Sequence, residues 1–540
     1  MPVSLTFDLI VIGSGPAGQK SALAAAKLGK RVALVDRGQM MGGVCIHTGT
    51  IPSKAMREAV ADLVHCRAVA GMLRGGGGDF GSLSKPGQFT MDDLLFRCHE
   101  VIRTERDVIR DQMARNNVFV FDGQASFLDA HTLRVTRTEL EDTGPATAVA
   151  PAGTLHGSAT DIRGQYVMIA CGTIPARPAS VPFVTGRVID SDELLHLRRL
   201  PRSMIVVGGG VIGTEYASMF AAIGVRVTLI DSRPRLLEFI DDELGECLQF
   251  RLRDRGVRLR LGDSVQEIEC DPGSTQPEND ESGDGESSTP LRLPPAGDVE
   301  ARLASGKRVR AEVLLYAIGR QGATTALNLP AAGLSADDRG RLKVNEFYQT
   351  AVPHIYAAGD VIGFPALAAT SMEQGRLASY HMFKCMAGAG NGLFPYGIYT
   401  IPEISMVGQT EQALSAEKTP YEVGIARYRE IARGQLVGDP NGMLKLLFHP
   451  ESRRLLGVHA IGTGATELIH IGQAVMAAGM PVDYFVESIF NYPTLAECYK
   501  VAALDGINRL RQPNHAPVVA DAATPACDEE QTREKTRAIA

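Results

Sequence analysis

Two glycine clusters and one short thiol-to-lysine segment carry the residues best suited to do chemistry. Gly13-Ser14-Gly15-Pro16-Ala17-Gly18 follows an apolar run from Phe7 to Ile12 and precedes an alanine-rich stretch from Gln19 to Leu28. A further apolar run, Arg31 to Val35, ends at Asp36, with Arg37 beyond it. Strand, glycine turn, helix, strand and acid in this register predict a dinucleotide cradle. The glycines allow a tight turn and bring a pyrophosphate to the helix N-terminus, and the acid accepts hydrogen bonds from a ribose. The pattern recurs where Ile205-Val206-Val207 leads into Gly208-Gly209-Gly210-Val211-Ile212-Gly213, then a helix carrying Glu215, then a strand from Val225 to Ile230 ending at Asp231. A lone GxGxxG is a weak signal; two complete half-sites in one chain are far more specific. Between them, Gly42-Gly43-Val44-Cys45-Ile46-His47-Thr48-Gly49-Thr50-Ile51-Pro52-Ser53-Lys54 places a thiol, hydroxyls and an ammonium close together.

The second half-site leaves its coenzyme open. Asp231 suits a ribose 2′-hydroxyl, hence NAD, whereas Arg233 and Arg235 suit a 2′-phosphate, hence NADP, or simply a solvated loop. Both coenzymes remain admissible.

The elements that must hold these residues can be read from pattern. A helix is expected from Pro52 to about Val69, with the proline at its start, and a long amphipathic helix from Met91 to Met113. Strands are expected at Val118–Phe121, Thr132–Val135, Tyr166–Ala170, Ser264–Cys270, Val299–Leu303 and Val313–Tyr316. Residues 75–87, 143–158, 271–299 and 512–540 read as flexible insertions and a tail, and 271–299 as an overgrown hairpin loop. The 540 residues suffice for about three or four domains. With 55 basic and 62 acidic residues the net charge is −7, which argues against a nucleic-acid-binding or polybasic membrane-surface protein. No apolar run long enough for a membrane span appears, and no signal peptide precedes Phe7. The nine cysteines show no metal-finger spacing and are odd in number, which suits a reducing cytoplasm; no metal site is expected.

The Cys45-to-Lys54 segment resembles the active-site segment of the pyridine nucleotide-disulfide oxidoreductases. Other motifs of the same family are resembled by Cys171-Gly172-Thr173, Ala317-Ile318-Gly319-Arg320, Ile355-Tyr356-Ala357-Ala358-Gly359-Asp360 and, near the end, Tyr492-Pro493-Thr494-Leu495-Ala496-Glu497. The resemblance runs from about Phe7 to Leu510, outside the insertions. It implies an α/β fold of two Rossmann-like dinucleotide-binding domains, for FAD and NAD(P), with a C-terminal α+β dimerisation domain. The expected division is 1–195 and 321–395 for FAD, 196–320 for NAD(P), 396–510 for dimerisation and 511–540 for the tail. A homodimer or larger homo-oligomer follows.

The resemblance also implies site residues. Cofactor contacts are expected at Gly13, Gly15, Pro16, Ala17, Gly18, Asp36, Arg37, Gly43, Cys45, Lys54, Gly172, Gly359 and Asp360, and at Gly208, Gly210, Gly213, Asp231, Arg233, Gly319 and Arg320. Cys45, Lys54, Glu215, Tyr492 and Glu497 are the expected catalytic set. Two departures matter. The family has a second cysteine where Thr50 stands, and a catalytic histidine where Tyr492 stands. Both changes delete thiol–disulfide exchange, while the glycine cradles, Lys54, Glu215 and Asp360 are intact. The expected activity is therefore reversible hydride transfer between NADPH and NAD⁺ through FAD, ping-pong and without a redox-active disulfide. The alternatives are an NAD(P)H diaphorase or oxidase using quinone or oxygen, and a flavin-binding scaffold without important turnover.

Overall fold

Leu9, Ile10, Val11 and Ile12 are buried on both faces, as a strand in the middle of a parallel sheet must be. The computed structural model describes residues 5–37, 40–74, 90–137, 159–270, 299–385 and 392–511. The expected insertions at 75–87 and 143–158, residues 271–298 and the tail from 512 lie outside these. Leu5–Ile12 pairs in parallel with Val32–Asp36 on one side and Ala159–Ile169 on the other. Ile355–Ala357, far along the chain, also pairs in parallel with Ala159–Ile169. Among the described residues this sheet has seven strands.

The second sheet is all parallel, in the order Arg258–Leu261, Arg226–Asp231, Ser203–Val207, Val313–Tyr316, Val188–Ile189. A three-stranded antiparallel sheet flanks it, and Cys270 pairs there with Val299. The two ends of the 271–298 segment therefore stand side by side, as a hairpin requires. Tyr396–Ile398, Ile404–Gly408, Leu455–Ile461, Met443–Phe448 and Glu422–Arg427 form an antiparallel sheet, covered by helices Ala465–Ala477 and Glu497–Arg511. The expected architecture, two Rossmann-like nucleotide folds and an α+β C-terminal unit, is present.

The lysine-bearing helix differs from its expected span. It runs Thr50–Arg74, and a short helix Gly43–His47 precedes it. Ser53 N–H donates to Gly49 C=O at 3.2 Å, so the helix begins before the proline, which lies within its first turn. The first four N–H groups of a helix have no partner inside it, so Pro52 is tolerated throughout that turn and does not mark its beginning.

One apolar cluster joins three parts of the chain. Met56 and Val60 of the Thr50–Arg74 helix, Tyr216 and Phe220 of helix Val211–Ala222, and Ile398, Ile401 and Ile404 of the C-terminal unit share it. This shared core brings Lys54 against Glu215.

Candidate active site

The two cradles obey the same sterics. Gly13 has φ +99° and Gly208 φ +113°, conformations that disfavour any residue with a Cβ. A Cβ on Gly18 would overlap the Gly13 carbonyl oxygen, and one on Gly213 that of Gly208, so helix and turn touch. Gly15 and Gly210 face the other way: a Cβ there meets nothing within 4 Å. Both are N-caps, of helices Pro16–Lys27 and Val211–Ala222, without a side-chain cap. Uncapped N–H groups facing open space are an anion-binding surface of the kind a pyrophosphate needs.

Around the first cradle, Ser14 N–H donates to Asp36 at 2.6 Å and the Ser14 hydroxyl donates to the same carboxylate. That hydroxyl accepts Gly42 N–H at 2.8 Å, and a Cβ on Gly43 would stand 3.0 Å from Gly15 Cα. Ser14 thus ties the Cys45 segment to the cradle. Arg37 N–H donates to Asp36 at 2.7 Å, while the rest of Arg37 is exposed. Burial pushes the Asp36 carboxyl up, against the pull of these donors. Asp360 comes to the same place: Gly359, held by Gln374 at 2.9 Å, packs against Ala17. Burial raises Asp360 too, opposed by Arg320 and a hydrogen bond with Thr173. Arg320 is itself bound to Thr173 Oγ1 and C=O, both at 2.9 Å, so Gly319-Arg320 and Gly172-Thr173 meet where the chain crosses between the nucleotide folds. The first cradle fits FAD in its open pyrophosphate seat, its terminal acid and its second acid delivered by the returning chain.

Cys45 is a free, half-buried thiol whose hydrogen-bond neighbour is Thr50. Burial pushes the thiol up, opposed by that bond, and the nearby charges are Asp360, Lys54 and Glu105. Lys54 Nζ donates to both oxygens of Glu215, at 2.8 and 3.1 Å. Glu215 is 3% exposed, and its Oε1 also accepts Tyr399 N–H at 2.8 Å.

At the second cradle Asp231 accepts Gly209 N–H, Arg233 N–H at 2.8 Å, and the Arg233 guanidinium through Nε at 2.9 Å and Nη2 at 2.7 Å. Burial would raise this carboxyl, but the Arg233 bonds win and hold it below its ordinary range. Arg233 thus folds back on the acid, and Arg235 pairs with Asp242 at 2.6 Å.

Tyr492 and Glu497 are not brought to this site within the chain. Tyr492 is 69% exposed, and among the described residues no hydrogen bond or ring contact joins it to Cys45, Lys54 or Glu215. Glu497 opens the last helix with one buried carboxylate oxygen lacking a partner. Ser14, Thr173, Gln374 and Tyr399 are structural partners of the site to which sequence reading gave no role of their own. For Ser14 the signal was there: a hydroxyl inside a glycine turn, with an acid at the end of the following strand.

Two cradles of dinucleotide-binding type, together with a part-buried Lys54–Glu215 ion pair, define a nucleotide-linked oxidoreductase fold. Residues 7–375 match the family model described as pyridine nucleotide-disulphide oxidoreductase, and residues 394–503 match that family's dimerisation domain. The chain belongs to the pyridine nucleotide-disulphide oxidoreductase family. It is 50% identical over 510 residues to the soluble pyridine nucleotide transhydrogenase of Mycobacterium bovis, covering 94% of this chain and 98% of that one. It is 41% identical over 515 residues to the enzyme of the same name from Escherichia coli, covering 94% and 100%. Among solved structures, the HOCl-induced flavoprotein disulfide reductase RclA from Escherichia coli superposes with a TM-score of 0.75 at 27% identity, covering 92% of this chain and 99% of that one. No helix among the described residues is long and apolar enough to cross a membrane.

Proposed function

We propose that this chain is an FAD-dependent NAD(P)⁺ transhydrogenase, moving a hydride reversibly between NADPH and NAD⁺. The observation that carries this reading is the hydroxyl of Thr50 beside the Cys45 thiol, where disulfide exchange would need a second sulfur. FAD, when bound, supplies a group that can accept and return a hydride, so that two coenzymes can use one seat in turn. The names of the curated relatives support the same activity.

The residues divide the work. Gly13, Gly15, Pro16, Ala17, Gly18, Asp36, Arg37, Gly43, Gly172, Gly359 and Asp360 hold FAD; Gly208, Gly210, Gly213, Asp231, Arg233, Gly319 and Arg320 serve the coenzyme seat. Glu215 orients Lys54 and balances its charge, and Lys54 offers a preorganised cation to the charge that hydride transfer moves. Cys45, kept protonated by burial, packs rather than reacts. The working form is a cytoplasmic homodimer, with residues 396–510 at its interface and Tyr492 and Glu497 facing the neighbouring subunit's site.

Anaerobic titration tests the proposal. NADPH should bleach the flavin absorbance of the purified protein, and NAD⁺ should restore it. Recovery with quinone or oxygen but not NAD⁺ would establish a diaphorase instead. Absence of bleaching would leave a scaffold.

A further inference from the structure

Tyr399 makes two contacts with the Lys54–Glu215 pair and a third that leads away from it. Its ring face carries the Lys54 ammonium, with Nζ 4.8 Å from the ring centroid. Its peptide N–H donates to Glu215 Oε1 at 2.8 Å. Its phenol meets the Thr466 hydroxyl. The neighbouring main chain is pinned as well, since Ile401 N–H donates to Ser218 Oγ at 3.0 Å and Ser218 Oγ donates to Glu215 C=O at 2.7 Å. The loop from Tyr399 to Ile401 therefore lies along helix Val211–Ala222, touching it at Glu215 and Ser218.

The other end of this chain of contacts is anchored in the C-terminal unit. Thr466 Oγ1 donates to Glu403 at 2.6 Å, and Gly464 N–H donates to the same carboxylate at 2.7 Å, at the head of helix Ala465–Ala477. Arg57, one turn along from Lys54, approaches Glu403 at 3.6 Å. Tyr399 stands between the ion pair and this buried acid.

We propose that Tyr399 is a positioning residue for Lys54: its ring and peptide N–H hold the ammonium and the Glu215 carboxylate in one geometry and attach them to the C-terminal unit. This rests on the reading that Lys54 serves hydride transfer. A lysine carries its charge on a flexible stem, and a carboxylate alone leaves that charge free to swing. The aromatic face adds a second restraint, beside Ser53 Oγ at 3.3 Å, and does so without a second negative charge. A cation held beside FAD favours the negative charge that the group gains on reduction, so loosening the cation lowers the reduction midpoint.

The test uses the full-length, FAD-loaded protein and measures the flavin midpoint, with kcat and KM for NADPH and NAD⁺, in four variants. Lys54→Met sets the reference and should move the midpoint to more negative values. Tyr399→Leu should move it the same way and lower kcat by roughly tenfold, with KM for both coenzymes unchanged. Tyr399→Phe, which keeps the ring and the peptide N–H, should restore most of the loss. Thr466→Val should give a smaller shift of the same sign, and covers the case in which Tyr399→Leu does not fold. The proposal fails if Lys54→Met shifts the midpoint while Tyr399→Leu and Thr466→Val do not, or if Phe is as damaging as Leu. If Lys54→Met itself leaves the midpoint in place, the role given to Lys54 is wrong, and the role of Tyr399 falls with it.

Discussion

Removing Arg233 probes how the coenzyme seat reads a ribose. The Asp231 side chain is 6% exposed, and its charge is answered by a guanidinium at 2.7 Å. In Arg233→Ala the carboxylate keeps the peptide N–H bonds of residues 209 and 233 but loses its counter-charge. A 2′-phosphate then meets an uncompensated negative group, whereas a 2′-hydroxyl meets a freed acceptor. Two unit charges about 5 Å apart interact by roughly 3 kcal/mol at an effective dielectric of about 20. Arg233 is 40% exposed, so solvent screening reduces the expected effect. A value near 2 kcal/mol corresponds to roughly 30-fold. Stopped-flow flavin reduction, run with each coenzyme in turn, should show kcat/KM for NADPH falling roughly 30-fold while that for NADH holds or rises. Raising the salt concentration should narrow the gap, because the term is electrostatic and partly solvent-exposed. Equal losses for NADH and NADPH would refute the reasoning, since they would make the Asp231–Arg233 pair a strut for the loop and not a reader of the ribose.

The open side of the first cradle gives a cleaner test of occupancy: Gly15→Ala adds a Cβ that meets no protein atom within 4 Å, so the FAD-free protein should melt as before, yet FAD retention on dilution should drop by about tenfold or more. Lys445, wholly buried, faces Asp241 at 2.9 Å, Glu243 at 3.1 Å and Glu411, so Lys445→Met should destabilise the protein by about 3–5 kcal/mol in urea titration through the unpaired carboxylates. Burial holds His459 in the same cluster below its ordinary value, against the pull of Asp241. The unfolded chain therefore binds a proton there that the folded chain refuses, and this stability is complete above about pH 6.5 and lost as the pH falls below it. The melting temperature should decline from pH 7.5 to 5.5, and His459→Asn should flatten that decline; an unchanged slope in the variant would remove His459 from the account. Thr50→Cys should change the flavin spectrum by setting a second sulfur beside Cys45, yet confer no turnover of lipoamide or glutathione, because Tyr492 still stands in place of the histidine base.

What could be read from sequence, and what could not, divides along the range of the interactions involved. Each cradle is complete within one strand–turn–helix unit, and the acid that ends the following strand is held by its own turn, through Ser14 N–H for Asp36 and Gly209 N–H for Asp231. Such contacts follow from spacing alone. Strand boundaries were less visible where burial alternates: Ala159–Ile169 was expected only from Tyr166, since its first half, paired with Thr132–Thr136, has every second residue exposed, and Gln124–Phe127 has only four residues in which to show a period. The state of Arg233 was invisible for a different reason. An arginine two positions beyond an aspartate can reach either the carboxylate or a ligand, and only the local turn decides which. Tyr399 marks the limit. Its ring meets Lys54, its N–H meets Glu215 and its phenol meets Thr466, so its environment is assembled from segments with no shared period or turn. The shared apolar core of Met56, Phe220 and Ile401 is what brings those segments together, and none of those side chains does chemistry. A motif can name the charged pair; the residue that aims it is set by packing around it.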